Sequence, residues 1–141
     1  MKSLNAHRVR FVVIGAAAFP VHGYSRATLD IDIFIGPTRQ NAGRTWNALR
    51  AFGYDVTDLS VDDLLTKKVL IRQYLVETDI HPFVKGVTFP RVWKNRVADR
   101  YGRTRVFFAS LKDLVAMKRA AGRPKDLEDL RYLERLLASK G

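Results

Sequence analysis

The segment GAAAFPVHGYSRATLDIDIFI, residues 15–35, decides the fold because it connects two strands of different character. A buried strand is predicted at Arg10–Ile14, directly before Gly15. In Leu29–Ile35, acidic side chains alternate with large apolar ones, which is the period-two pattern of a strand. Residues i and i+2 of a strand point to the same face, so Asp30 and Asp32 are predicted to lie side by side.

Two carboxylates placed that close together repel each other, and two interpretations follow. A divalent cation such as Mg²⁺ would neutralise them, or the strand is an edge strand with a solvated acidic face. The residues upstream favour the cation. Gly15 and the small residues after it let backbone N–H groups approach a phosphate closely. Ser25, Arg26 and Thr28 add hydroxyl groups and a fixed positive charge, and this combination indicates phosphoryl or nucleotidyl transfer.

The runs VIGAAA and HGYSRATLDIDI resemble the signature of the polymerase-beta type nucleotidyltransferase superfamily. Within it, the resemblance is to small bacterial minimal nucleotidyltransferases and to toxin–antitoxin nucleotidyltransferases. It implies an α/β fold, a short mixed sheet flanked by helices, in one domain spanning residues 1–141. The implied activity is Mg²⁺-dependent transfer of a nucleoside monophosphate from an NTP to an acceptor hydroxyl on a tRNA, a protein or a small molecule. A toxin role is one candidate within that class.

The same resemblance implies roles for individual residues. Asp79, in a second predicted strand at residues 74–81, matches the third carboxylate, which completes the metal site or takes the proton of the attacking hydroxyl. Glu77 shares its strand face and is the alternative, and His81 lies on that face too. The implied metal ligands are Asp30, Asp32 and Asp79, and the implied nucleotide-binding residues are Gly15, Ala16, Ser25, Arg26 and Thr28.

Ala16 departs from the family pattern, which has glycine or serine at the second position. A serine would offer a hydroxyl to a phosphate, whereas Ala16 offers only its backbone N–H. This departure supports an alternative function, a non-catalytic nucleotide- or RNA-binding module that acts with a partner chain.

A second informative stretch lies near the C-terminal end, where a helix is predicted at Leu111–Ala121. Its apolar stripe continues into Lys118, which therefore needs an anionic partner or must reach water. The run MKRAAGRPKDLEDL resembles the C-terminal motif of the toxin-type members, in which a lysine on this helix acts in the site. Lys118 matches that lysine, while Arg123 and Asp126 match positions interpreted as supporting it.

The composition fits a folded, basic protein. The chain has 141 residues, 47% of them hydrophobic, with no cysteine and a formal net charge of +11. Residues 85–125 contain twelve Lys or Arg and only two Asp, so a nucleic-acid contact through this region is expected. No membrane span or signal peptide is predicted, and a cytoplasmic location is expected. The small size suggests a dimer or a partner chain that binds the acceptor.

The remaining elements are predicted from periodicity and from helix-ending residues. Helices are expected at Gln40–Phe52 and Phe89–Arg100, a strand at Arg103–Ala109, and a last helix at Lys125–Ala138. The last helix is expected to bury four leucines on one face: Leu127, Leu130, Leu133 and Leu137.

Overall fold

The computed structural model describes residues 1–25, 28, 30–72 and 77–140. Within them a six-stranded mixed sheet has the order β3-β4-β2-β1-β6-β5. The protein is therefore α/β, as the sequence predicts. The strands are β1 (Phe11–Ile14), β2 (Asp30–Ile35), β3 (Val69–Ile71), β4 (Glu77–His81), β5 (Val97–Tyr101) and β6 (Thr104–Phe108).

Strand direction places the acidic residues at the middle of the sheet. β2 pairs antiparallel with β1 on one side and parallel with β4 on the other. The hairpin β5–β6 joins through a parallel pairing of β6 with β1, and β3 adds an antiparallel edge strand to β4. The carboxylates of β2 therefore have a strand on each side of them, and the solvated edge-strand interpretation is wrong.

Helices cover both faces of this sheet. They are α1 (Lys2–Ala6), α2 (Arg39–Phe52), α3 (Val61–Thr66), α4 (Phe89–Lys94), α5 (Leu111–Ala121) and α6 (Leu127–Lys140). Short 3₁₀ helices occupy Gly15–Ala18, Pro20–His22 and Pro124–Asp126. α5 lies over the face that carries Asp32, whereas α2 lies over the opposite face, against Ile31 and Ile33.

The core forms where both sheet faces meet the helices. Val12, Val13 and Ile35 in the central strands are fully buried, as are Leu64 and Leu133 from the helices. α2 begins at Thr38, whose side chain accepts a hydrogen bond from the N–H of Asn41, and ends at Gly53 in the left-handed region. The cap residues explain why the predicted and observed bounds of this helix agree.

Several element predictions are confirmed. α5 has the predicted bounds, and Ser110 caps it by accepting a hydrogen bond from the N–H of Asp113. β2 ends before Gly36 and Pro37, as the breaker pair indicates. The predicted strand at Arg103–Ala109 is found as β6.

The predicted helix Phe89–Arg100 is wrong in its second half. The helix ends at Lys94, and the chain turns into β5 at Val97. Residues 98–101 are exposed, so the hydrophobic pattern carries little strand signal there. β5 is held by its pairing with β6, and Gly102, with φ +62°, forms the hairpin turn rather than a helix end.

The predicted last helix begins two residues late, because Pro124–Asp126 forms a 3₁₀ turn first. Of its four leucines, Leu133 is fully buried and Leu127 is 47% exposed. The expectation that Leu127 is buried is therefore wrong. Across the described residues, helices that could cross a bilayer are absent.

Candidate active site

The register between β2 and β4 brings acidic residues of the two strands together. Asp32 lies directly opposite Asp79, and Asp30 lies opposite Glu77. Because facing residues of paired strands point to the same side, all four carboxylates share one face of the sheet. The side chains of Asp32 and Asp79 are 29% and 13% exposed, so this part of the acidic face is the more enclosed one.

A group able to hold a metal ion forms around this pair. One ligand atom from each of Asp32, Asp79 and His81 can be chosen so that all three lie within 4.8 Å of one another. His81 Nε2 lies 2.8 Å from Asp32 Oδ1. Two carboxylates suit Mg²⁺ or Mn²⁺, and the imidazole adds a nitrogen that Mn²⁺ accepts more readily than Mg²⁺. The residues present therefore fit a divalent cation.

Gly15 is required at its position because of Asp32. It follows β1, where Ile14 pairs with Asp32, and it has φ +66°. A Cβ built on Gly15 would lie 2.8 Å from Asp32 Oδ2, closer than real Cβ contacts. Its backbone thus packs directly against Asp32, and the 3₁₀ helix Gly15–Ala18 that begins there places Ala16 at the same cleft.

The other predicted site residues on this segment fall in different places. Asp30 is exposed and lines the cleft, but it lies outside the three-residue group found among the described residues. Thr28 also lines the cleft, and its hydroxyl donates to the Asp30 carbonyl at 3.0 Å. Ser25 is exposed and is not among the described residues that line the cleft. Arg26 lies outside the described residues.

The alternative third carboxylate, Glu77, lies one step further along the face. Its side chain is 44% exposed, and it pairs with Arg72 at 3.2 Å. The same arginine donates to Asp79 Oδ1 at 2.6 Å. The register sets Asp79, rather than Glu77, beside Asp32.

Lys118 reaches the cleft from α5, and its anionic partners come from the segment that follows. Its ammonium lies 2.9 Å from Asp126 Oδ1 and 3.4 Å from Asp129 Oδ2. It also lies 5.6 Å from the centre of the Phe19 ring. Both aspartates are almost fully buried. Their charges explain why Lys118 can continue the apolar stripe of α5.

Arg123 lies beside Lys118, and the two residues together form a cationic wall of the cleft. Its guanidinium makes two hydrogen bonds to Asp126, at 2.7 and 3.2 Å. The Arg123 guanidinium, with Lys118, holds the pKa of the Asp126 carboxyl well below its usual range. The hydrogen bond to Asp126 raises the pKa of Arg123, and the charge of Asp32 adds to that effect. Asp32 and Arg123 thus influence each other across the cleft.

The cleft between these groups has a volume of about 440 Å³. Carboxylates of β2 and β4 lie on one side, and basic side chains of α5 and the segment after it lie on the other: Lys118, Arg123 and Lys125. Lys68, which directly precedes β3 beside β4, also lines the cleft. A cleft with an acidic pair and a cationic wall suits a metal-bound polyphosphate, which needs cations around its oxygens.

Sequence reasoning missed two contacts in this cleft. It named His81 as a residue of the correct face but not as a partner of Asp32, and it did not single out Arg72. The strand period identifies which face a residue takes, but the contact of His81 with Asp32 depends on the register between strands that are distant in sequence. The contact of Arg72 with Asp79 depends on the pairing of β3 with β4. Asp129 was also not identified from the sequence, although it carried a signal, because it lies three residues after Asp126 in the quoted run.

The sheet, with its carboxylates beside a glycine turn and a cationic helix, defines a nucleotidyltransferase-like protein. A comparison with protein families matches residues 1–138 to the family described as "Nucleotidyltransferase of unknown function (DUF6036)". The chain belongs to this family, so the nucleotidyltransferase resemblance of the sequence is confirmed. A comparison with curated proteins gave no match.

Proposed function

We propose that this protein transfers a nucleoside monophosphate from a nucleoside triphosphate to an acceptor hydroxyl. The observation that carries the proposal is the register of β2 and β4, which sets Asp32 beside Asp79 in a cleft with a cationic opposite wall. Membership of the nucleotidyltransferase family supports the reaction class.

The proposed metal is Mg²⁺, held by Asp32 and Asp79, with Asp30 at the open end of the site and His81 beside Asp32. When bound, the cation neutralises phosphate charge and orients the reacting oxygens. Gly15 keeps space beside the Asp32 carboxylate, since any side chain there would collide with it.

In the proposed reaction, the acceptor oxygen forms a bond to the α-phosphorus while the bond from that phosphorus to the bridging oxygen breaks. Pyrophosphate leaves with the electron pair of the broken bond, and the hydroxyl proton passes to the Asp79 carboxylate. Lys118 and Arg123 lie on the opposite wall, where their charges would stabilise the leaving pyrophosphate.

The triphosphate is proposed to bind at the turn after β1. The backbone N–H groups of Gly15 and Ala16 lie at the start of a 3₁₀ helix in the cleft, and the Thr28 hydroxyl lies at its edge. Ser25 and Arg26 remain proposed phosphate contacts on the strength of the family resemblance. Because Ala16 lacks the hydroxyl that a serine would offer, backbone N–H groups are proposed to make most of the phosphate contacts.

The proposed acceptor is a nucleic acid such as tRNA, with a protein hydroxyl as the alternative. Support comes from the basic residues 85–125, many of which are exposed, including Arg100, Arg103 and Arg105 in the β5–β6 hairpin. A toxin role is a further proposal that rests on the resemblance of the C-terminal run, and an acceptor-binding partner chain or dimer is one that rests on the small size of the chain.

One observation favours a second candidate, a non-catalytic nucleotide- or RNA-binding module. Ala16 lines the cleft without the hydroxyl that the family pattern often has there. Such a module would bind NTP or RNA and would show no turnover with any acceptor. Reverting Ala16 to serine would then be the first change to restore transfer.

The test is incubation with each of the four α-labelled NTPs and Mg²⁺, using total tRNA and cell extract as acceptors. Label is expected on one acceptor class. Asp32→Asn is expected to reduce that transfer by roughly a thousandfold, because the pair can no longer hold the cation.

The matched control is Asp62→Asn, since Asp62 is an exposed carboxylate that pairs with Arg39 far from the cleft. It is expected to leave transfer at the level of the unchanged protein. Retention of transfer in Asp32→Asn, with its fold intact by circular dichroism, would contradict the proposed function.

A further inference from the structure

Arg72 holds the carboxylate that the proposed function assigns to the metal. It follows β3, and its guanidinium donates from Nη1 to Asp79 Oδ1 at 2.6 Å. Its Nε lies 3.2 Å from Glu77 Oε2. The hydrogen bond to Asp79 raises the pKa of Arg72, and the charges of Asp79, Glu77 and Asp30 add to the shift. One guanidinium thus contacts two of the four carboxylates on this face.

A divalent cation and this guanidinium compete for the same group. Asp79 is only 13% exposed on its side chain, so few directions of approach to its carboxylate are open. A cation between Asp32 and Asp79 would also lie close to the positive charge of Arg72 and be repelled by it. Binding of the cation at Asp79 is therefore opposed by Arg72 in its present position.

Glu77 can serve as the carboxylate partner of Arg72 when Arg72 leaves Asp79. It already contacts the Arg72 Nε, it is 44% exposed, and it lies outside the three-residue group that can hold the metal among the described residues. The guanidinium can leave Asp79 and keep a carboxylate partner, so its charge is never left unpaired.

We propose that Arg72 occupies the metal position on Asp79 in the metal-free protein and moves to Glu77 when a divalent cation binds. Arg72 is then a positioning residue that offsets the repulsion between Asp32 and Asp79 while no cation is bound. It also sets the cation concentration at which the cleft becomes occupied. The inference rests on the metal site of the proposed function.

The direct test is the dissociation constant of Mn²⁺, measured by titration calorimetry on the full chain. Arg72→Gln is expected to bind Mn²⁺ roughly tenfold more tightly, because a charge-assisted hydrogen bond no longer has to be broken. The matched control is Arg39→Gln, which removes the same charge from a 2.6 Å ion pair with Asp62 far from the cleft. It is expected to leave the Mn²⁺ constant unchanged, and an unchanged constant in Arg72→Gln as well would overturn the inference.

Glu77→Gln distinguishes movement of Arg72 from a general change in the electrostatic potential at the metal site. Loss of Glu77 removes the alternative partner, so Mn²⁺ binding is expected to weaken more when Arg72 is present than in the Arg72→Gln background. Equal weakening in both backgrounds would mean that Glu77 acts through its charge or as a ligand, and the proposed movement would be wrong.

Asp32→Asn distinguishes failure of this inference from failure of the metal site itself. If Mn²⁺ binding disappears in Asp32→Asn but is the same with and without Arg72, only the inference about Arg72 fails. If Mn²⁺ binding is insensitive to Asp32→Asn in both backgrounds, the cation does not bind in this cleft, and the proposed metal site fails with it.

Discussion

Gly15 shows how one residue can fix the site. It has a left-handed backbone conformation at φ +66°, and its missing side chain leaves room for the Asp32 carboxylate. Glycine adopts that conformation without the steric cost that other residues have. From the sequence, Gly15 is predicted to bind a phosphate. The structure adds a second reason for glycine at this position, which is the close approach of the Asp32 carboxylate.

Gly15→Ala is therefore expected to lower the free energy of unfolding by about 1–3 kcal/mol and to weaken Mn²⁺ binding, because the new methyl group displaces the Asp32 oxygen. Denaturant unfolding and calorimetry measure the two effects. The control is Gly43→Ala in α2, where a Cβ meets nothing within 4 Å. That variant should be at least as stable as the unchanged protein, and similar behaviour of the two variants would contradict the explanation.

Asp126 is the residue on which the cationic wall depends, since both Lys118 and Arg123 pair with it. Asp126→Asn is expected to cost about 3 kcal/mol of stability at pH 7, because it leaves Arg123 with a neutral partner and Lys118 with Asp129 as its remaining carboxylate. A carboxyl whose pKa is lowered on folding contributes stability above its unfolded pKa, near 3.8, and loses it as pH falls further. The difference in unfolding free energy between the two proteins should therefore shrink below about pH 4. A difference that stays constant from pH 7 to pH 3 would contradict this account.

At the scale of elements, the pairing of strands decides what the acidic face does. The alternation in β2 predicted which residues share a face, and the caps predicted α2 and α5 closely. Neither signal contains the register, which sets Asp79 rather than Glu77 beside Asp32. The incorrect helix prediction at Phe89–Arg100 has the same origin, because residues 98–101 of β5 are exposed and the strand forms through its pairing with β6.

The junction between α4 and α5 depends on a fully buried carboxylate. Asp113, in the first turn of α5, accepts hydrogen bonds from Arg91 at 2.9 Å and from Asn95 at 3.2 Å. No local pattern in the sequence connects Asp113 with these partners, because Arg91 and Asn95 lie 22 and 18 residues away along the chain.

Asp113→Ala is expected to lower the free energy of unfolding by about 3 kcal/mol, because the buried partner of Arg91 is lost. Asp62→Ala, which removes an exposed partner of Arg39, is expected to change it by about 0.5 kcal/mol at most. Thermal and denaturant unfolding measure both. Equal effects in the two variants would show that Asp113 does not join the two helices as described.

At the scale of the molecule, the charge of +11 is concentrated in residues 85–125. Arg100 and Arg105 lie directly opposite each other in the β5–β6 hairpin, both exposed. Like charges in facing positions are unfavourable in an isolated sheet, so this arrangement is suited to a polyanionic partner.

The double variant Arg100→Gln/Arg105→Gln is expected to weaken RNA binding and to reduce the slope of log K against log salt by roughly 1.5, since two phosphate contacts are lost. Binding to a labelled tRNA pool at several salt concentrations measures the slope. Arg39→Gln/Arg131→Gln removes the same charge elsewhere on the surface and should retain most of the slope. Equal slopes for both double variants would remove the hairpin from the proposed contact surface.

The reaction proposed for the cleft is transfer of a nucleoside monophosphate with release of pyrophosphate. The most direct measurement compares the same NTP labelled at the α-phosphate and at the γ-phosphate, with pyrophosphate counted in the same reaction. We expect that α-label enters the acceptor, that γ-label leaves as pyrophosphate in equal amount, and that Asp79→Asn and Asp32→Asn remove both signals. Transfer of γ-label to the acceptor, or release of free phosphate without transfer, would contradict it.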